Sequence, residues 1–316
     1  MDPNLIIMWL GFTLAAYSVV GNDSIQTLGT FLSSNENKPW YVLWLFAGGI
    51  LASTLVYGWF HYGGDVSYDR LSKYPENTEM GWVYLLPPLV LLLLTRTGIP
   101  VSTSFLILTF FNEKNMYSMI EKSALGYFVA FLAAIVLYYL ISGFFERNVK
   151  NSELKGNAKK YWTMAQWLST GFLWSQWLIQ DFANIYVYLP RDIGGLELAI
   201  SLVILLLMLA YIFWSKGGNI QKIVKAKTNT SDIRSATIID LLFGIVLFIF
   251  KEMSNIPMST TWVFIGLLAG RELAIKWKLT GSFGKDTMKD IFTDLGKVFF
   301  GLLISIVLVY FIKWMG

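Results

Sequence analysis

The chain alternates between long apolar runs and short polar stretches. The runs lie at about 4–20, 40–60, 80–95, 98–111, 123–145, 161–179, 196–214, 236–251, 255–270 and 297–314. Runs this long and this uniformly apolar predict membrane-crossing helices rather than amphipathic helices around a soluble core. Four of the ten are short, near 14–16 residues, and fall into adjacent pairs: 80–95 with 98–111, and 236–251 with 255–270. Sixteen helical residues rise only about 24 Å, less than a hydrocarbon core of roughly 30 Å. Each pair therefore reads as two short spanning helices or as a re-entrant hairpin. A polar, proline-containing break separates each pair: Thr95-Arg96-Thr97-Gly98-Ile99-Pro100 and Lys251-Glu252-Met253-Ser254-Asn255-Ile256-Pro257. The first run carries Asp2 in place of a basic flank and leads into Gly21-Asn22-Asp23, so it is expected to be retained as a helix rather than cleaved as a signal peptide. The fold class predicted is an all-α polytopic membrane protein.

Composition agrees: 55% of the 316 residues are apolar and 15% charged, against roughly 25% charged in soluble domains. Mean hydropathy is +0.54. There is no cysteine, which excludes disulfides, thiolate nucleophiles, iron–sulfur clusters and cysteine zinc sites. His61 is the single histidine, so HExxH and multi-histidine metal sites are excluded too. It stands unduplicated at a helix end and reads as structural rather than proton-relaying. No P-loop occurs, which removes an ATP-driven mechanism. The polar loops at 63–79, 146–160, 215–234 and 271–296 are too short for a soluble catalytic domain.

The sequence repeats itself. Asn22-Asp23-Ser24-Ile25-Gln26 corresponds to Gln180-Asp181-Phe182-Ala183-Asn184 at an offset of 158. Ile99-Pro100-Val101-Ser102-Thr103-Ser104 corresponds to Ile256-Pro257-Met258-Ser259-Thr260-Thr261 at an offset of 157. Two matches in one register predict two homologous halves, 1–148 and 161–316, joined by a linker over 149–160. The last helix of the second half is set later by an insertion around 276–294. Five elements per half is an odd number, which inverts the second half relative to the first. Charge supports this. Alternating sides from a cytoplasmic 146–160 loop puts 17 of the 25 Lys and Arg inside and 6 outside, with Arg96 and Lys251 in the breaks. The expected placement is the cell membrane, with both termini outside and the basic loops cytoplasmic. The net charge of +4 is thus a topology signal, not a nucleic-acid footprint. Inverted repeats with interrupted helices characterise secondary transporters, with the substrate held where helices break near the midplane.

The duplicated residues carry suitable chemistry. A carboxylate within a membrane is expensive and seldom lacks a cation, proton or partner. Asp23 and Asp181 therefore read as cation-coupling or proton-carrying residues; the alternative is a pair of helix caps at headgroup level. Asn22, Gln26, Gln180 and Asn184 flank them with amides that ligate a cation through oxygen or an anion through nitrogen, or else bond helix to helix. Ser102, Thr103 and Ser104 follow Pro100, and Ser259, Thr260 and Thr261 follow Pro257. A proline at the first helical position leaves free N–H groups beside these hydroxyls, an anion cradle at the positive helix end; the alternative is ordinary Ser/Thr capping. Arg271 and Lys114, each 14 residues after its proline, read as interfacial anchors; Arg96 either attracts an anion or snorkels, and Lys251, Glu252 and Glu272 have no assigned role.

At these residues the chain resembles the inorganic phosphate transporter family, sodium- or proton-coupled phosphate permeases. That family carries a duplicated Gly-Ala-Asn-Asp-x-Ala-Asn and a duplicated Pro-x-Ser-Thr-Thr-His. Here the copies read Val20-Gly21-Asn22-Asp23-Ser24-Ile25-Gln26, Leu178-Ile179-Gln180-Asp181-Phe182-Ala183-Asn184, Pro100-Val101-Ser102-Thr103-Ser104-Phe105 and Pro257-Met258-Ser259-Thr260-Thr261-Trp262. Gln26 and Gln180 each replace an asparagine, and Phe105 and Trp262 stand at the histidine positions. The resemblance implies secondary active transport of inorganic phosphate with Na⁺ or H⁺ and no resident cofactor. Phosphate would lie between the two Pro-Ser-Thr helix starts, and Na⁺ near Asp23 and Asp181 with Asn22 and Asn184. It also implies two opposed bundles in contact with membrane lipid, often as homodimers. The alternatives are transport of another oxyanion such as sulfate or of a small carboxylate, a membrane enzyme acting on phosphorylated lipid, and a non-transporting sensor or scaffold.

Overall fold

The computed structural model describes residues 2–76, 79–96, 101–148, 154, 156–216, 233–282 and 285–315. Pro100 and the side chains of Asn22 and Arg96 lie outside the described residues. Among those residues the chain is all helical. The helices are α1 (Pro3–Ser34), α2 (Trp40–His61), α3 (Leu86–Arg96) after a 3₁₀ turn over Trp82–Leu85, α4 (Thr103–Phe111), α5 (Met116–Asn148), α6 (Gly156–Tyr186), α7 (Gly195–Trp214), α8 (Ile233–Met253), α9 (Thr260–Thr280) and α10 (Lys285–Met315). Six described helical segments are long and apolar enough to cross a membrane.

The ten helices match the ten apolar runs, but several extend beyond them. α1 continues through Asp23 to Ser34, and α6 through Asp181 to Tyr186. Both carboxylates therefore sit inside continuous helices, and the helix-cap alternative falls away. The second short pair is not short: α8 and α9 have 21 residues each, against 11 and 9 for α3 and α4. Most of the expected polar loop and insertion over 271–296 is helical as well, divided between α9 and α10. Hydropathy marks where apolar surface ends, not where backbone hydrogen bonding ends, and Lys, Glu and Arg continue a helix readily.

The outer surface is apolar, as is most of the interior, and a set of polar residues is buried between the helices. Large apolar side chains face outward, Phe60, Phe128, Leu132, Leu207 and Phe299 among them, while Asp23, Thr27, Thr30, Gln166, Thr170, Gln180, Asp181, Asn184 and Asp240 are buried. Lipid replaces water outside, so apolar burial does not drive helix association; close backbone approach and interhelical hydrogen bonds do. Gly266 and Gly270 show the first. They form a small-xxx-small stripe on α9, and a Cβ at either would collide with the carbonyl oxygen of Tyr127 or Phe131 on α5. α1 and α6 show the second. They run antiparallel, with Phe12 against Tyr186 at one end and the Gln166 amide donating to the Ser34 hydroxyl at the other. Between these lies Asp240 of α8, whose two carboxylate oxygens accept hydrogen bonds from Thr30 of α1 and Thr170 of α6, each at 2.6 Å. Tryptophans pin other pairs: Trp44 of α2 donates to Leu206 O of α7 at 3.0 Å, and Trp174 of α6 to Ala47 O of α2 at 2.9 Å.

Candidate functional site

The two duplicated motifs of each half come together in space. α4 begins after Ser102, whose hydroxyl accepts from Phe105 N at 3.2 Å. α9 begins after Ser259, whose hydroxyl accepts from Trp262 N at 3.3 Å. Ser102 and Ser259 are thus both N-caps, and each uses its oxygen to satisfy an otherwise orphaned helix-start donor. Pro257 precedes the Ser259 cap by two residues, so it is not at the first helical position as expected; the cap residue takes over the role assigned to the proline ring. The second break is held from α5: Lys122 Nζ donates to Ser254 O at 2.8 Å and Ile256 O at 2.6 Å, and Ser123 Oγ accepts from Ser259 N at 2.8 Å.

The residue after each cap reaches the carboxylate of its own half. Thr103 Oγ1 donates to Asp23 Oδ2 at 2.8 Å, and Thr260 Oγ1 donates to Asp181 Oδ2 at 3.0 Å. Asn184, one helical turn beyond Asp181, joins the pair. Its amide nitrogen donates to Asp181 Oδ1 at 2.5 Å and to Thr103 Oγ1 at 3.2 Å. A continuous chain of hydrogen bonds therefore runs Asp23–Thr103–Asn184–Asp181–Thr260. Asp23 and Asn184 are fully buried, and Asp181 nearly so. Ser104 Oγ crosses between the helix starts and donates to Met258 O at 3.2 Å.

The same cluster holds unused polar atoms. Gln180 Nε2 donates to Leu247 O at 3.2 Å, but its Oε1 is buried without a hydrogen-bond partner among the described residues, as are Asn184 Oδ1 and Thr261 Oγ1. Buried polar atoms are nearly always satisfied, and leaving one bare costs about 1–3 kcal/mol. Bare oxygens at three motif residues suit a small hard cation or a hydrogen-bonding ligand. Of the residues expected from the motifs, Asp23, Thr103, Asn184, Asp181 and Thr260 are joined here and Ser104 bonds across the two helix starts, while Gln180 turns its amide to α8 and Thr261 is buried next to Thr260 in sequence. Gln26 is half-buried on α1 and stands outside this hydrogen-bond chain. No trio of His, Asp or Glu gathers as a metal cluster among the described residues.

Three features escaped the motif reading. Asp240 forms the separate buried node described above. Lys122 and Ser123 hold the second break. The third is Arg70. The described part of the loop, 62–76, is a folded cap rather than a simple polar loop. Asp65 accepts from Ser67 N at 2.6 Å and Asp69 N at 2.9 Å, and Tyr68 and Asp69 both adopt left-handed backbone conformations (φ 58° and 59°). Such strain persists only where surroundings impose it, and here they do. Tyr68 OH donates to Thr54 O at 2.5 Å, with its ring over the bare face of Gly58, and Asp69 accepts from Asn255 of the second break at 3.0 Å. The result buries Arg70 to 2% exposure. Burial lowers its pKa to about 10, opposed first by the charge of Asp181, so the guanidinium stays positive at neutral pH.

Of the peripheral charges, Lys251 pairs with Glu252 at 2.9 Å, Arg271 lies 5.5 Å from the Tyr138 ring, and exposed His61 stacks on Tyr57.

These features define a polytopic helical membrane protein with a buried polar cluster among its helices. No protein-family model matches the chain, and no curated protein matches it by sequence. A solved structure of the sodium-dependent phosphate transporter superposes on it with a TM-score of 0.70, covering 100% of this chain and 99% of that one at 16% identity. At that identity the likeness establishes a shared fold, across the full length of both chains. The solved protein with this fold is a transporter, not an enzyme.

Proposed function

We propose that the chain is a secondary transporter moving inorganic phosphate, coupled to Na⁺ or H⁺, by alternating access between two inverted repeats at 1–148 and 161–316, with 149–160 as linker. The observation that carries this reading is the matched pair of Thr–Asp hydrogen bonds, Thr103 to Asp23 and Thr260 to Asp181, joined through Asn184. A site repeated in both halves and continuous across them is what a substrate shared by two repeats requires. The full-length likeness to a sodium-dependent phosphate transporter supports the same reading.

In this proposal the substrate lies against the starts of α4 and α9, where free backbone N–H groups and the helix dipoles favour an anion. Ser102 and Ser259 hold those starts in shape, while Ser104, Thr261, Gln180 and Asn184 face the substrate. Asp23 and Asp181, with the oxygen of Asn184, take the coupling cations, whose positive charge offsets the burial of two carboxylates. The open acceptors also bear on substrate choice. Gln180 Oε1 and Asn184 Oδ1 need a donor or a cation. Phosphate at neutral pH keeps at least one O–H to give, whereas sulfate has none, which favours phosphate.

Purified protein in proteoliposomes, given a Na⁺ gradient or a proton gradient, should accumulate labelled phosphate over sulfate and over small carboxylates. Uptake of sulfate in preference to phosphate overturns the substrate assignment, and indifference to both gradients overturns the coupling.

A further inference from the structure

Arg70 is the least explained charge in the molecule. Its guanidinium is buried, yet Nε and Nη1 have no hydrogen-bond partner among the described residues, and no carboxylate there pairs with it within salt-bridge distance. A buried charge without hydrogen bonds is strongly disfavoured, and structural arginines are normally paired when fully buried. The fold nonetheless holds it in place with specific contacts: the left-handed turn at Tyr68 and Asp69, the Tyr68–Thr54 bond, and the Asp69–Asn255 bond to the second break. The charges acting on it are Asp181 and Glu252, both attractive, with Lys122 on the repulsive side. Asp181 belongs to the hydrogen-bond chain of the candidate site, and Asn255 lies four residues before the Ser259 cap. The cap segment of the first half thus brings a buried cation within electrostatic reach of Asp181. Position 70 lies outside both repeated motifs.

We propose that Arg70 is a substrate-recognition residue: its open N–H groups bind the oxyanion held between the starts of α4 and α9. This rests on the transport reading above and adds to it the residue that recognises substrate charge. It also gives the anion a fixed positive charge beside Asp181, which lessens the compensation needed from a mobile cation there.

The test is equilibrium binding of labelled phosphate to the full-length purified protein, with and without Na⁺, for the native chain, Arg70→Lys and Arg70→Gln, each checked by thermal melting. Loss of charge-assisted hydrogen bonds should weaken phosphate binding by roughly 10- to 100-fold in Arg70→Gln. Arg70→Lys should fall between, because an ammonium keeps the charge but not the planar fork. Because the anion then lacks its fixed counter-charge, the residual binding of Arg70→Gln should depend more steeply on Na⁺, a change that a merely structural arginine would not produce. Binding within threefold of native in a folded Arg70→Gln protein overturns this inference and leaves the transport reading standing. Absence of any phosphate or sulfate binding by the native protein overturns both. If Arg70→Gln does not fold, Arg70→Lys decides: at least threefold weaker binding is expected, and unchanged affinity and Na⁺ dependence overturn the inference.

Discussion

Phe105 and Trp262 meet edge to face, with ring centroids 5.5 Å apart and planes at 64°. Each lies in the first turn of a broken-helix partner, α4 or α9, and Trp262 continues the contact to Phe299 of α10 at 5.7 Å. These are the two positions where the resembling family carries histidine. The exchange at both positions makes sense as a pair, since one aromatic here supplies the other's packing surface. Replacing Phe105 with Ala should destabilise the protein by roughly 3–5 kcal/mol. A double-mutant cycle of Phe105→Leu and Trp262→Leu, read by equilibrium unfolding in detergent, should give a coupling of about 0.5–1.5 kcal/mol. A coupling near zero would mean the two rings pack independently.

The glycine stripe of α9 predicts opposite signs for similar substitutions. Gly270→Ala should lower the melting temperature sharply, because its methyl group would collide with the Phe131 backbone and push α5 and α9 apart. Gly296→Ala on α10 meets nothing within 4 Å and should be neutral or stabilising, by up to about 1 kcal/mol of helix propensity. Comparable losses at both positions would remove the close α5–α9 crossing from the explanation.

Asp240 separates charge from hydrogen bonding. Asp240→Leu leaves the Thr30 and Thr170 hydroxyls without their acceptor and should cost about 1–3 kcal/mol for each hydroxyl left bare. Asp240→Asn keeps one acceptor oxygen, and a rotated threonine hydroxyl accepts from the new amide, so it should fold and melt close to native. Thermal melting of the two variants side by side checks this.

The two halves should fail alike. Thr103→Val and Thr260→Val each remove the hydroxyl that donates to the carboxylate of their own half. Both should reduce phosphate uptake by at least about tenfold, the worth of one charge-assisted hydrogen bond, while Thr→Ser at either position retains most of it. Loss at one position only would show that the paired geometry does not reflect paired roles.

How much of this was legible in the sequence depends on the kind of signal each feature left. Among the described residues, helix number was legible because every helix contains an apolar run. Helix ends were not, as α9 shows: Lys276 and Lys278 read as loop but continue a helix that backbone hydrogen bonds sustain to Thr280. Asp23, Asp181, Thr103 and Thr260 were legible because each occurs twice in register, a pattern that independent drift does not produce. Arg70 left no such trace. It is one basic residue in a polar segment, and only the Asp65–Tyr68–Asp69 turn, a three-dimensional feature, carries it into the core. Asp240 did leave a signal that went unused, a lone acid within an apolar helix, which by itself marks a functional or structural node in a membrane. The Asn184 bridge between halves was beyond sequence reading, since residue spacing fixes contacts within a helix and not between distant ones.

The most direct measurement is Na⁺-driven accumulation of labelled phosphate in proteoliposomes containing the native chain, Asp23→Asn or Asp181→Asn. The native protein should concentrate phosphate while the gradient lasts, and each variant, which keeps the shape of the site but removes a charge, should lose Na⁺-dependent accumulation. Full Na⁺-driven accumulation in both variants, or none in the native protein, would contradict the assignment of Asp23–Thr103–Asn184–Asp181–Thr260 as the transport site.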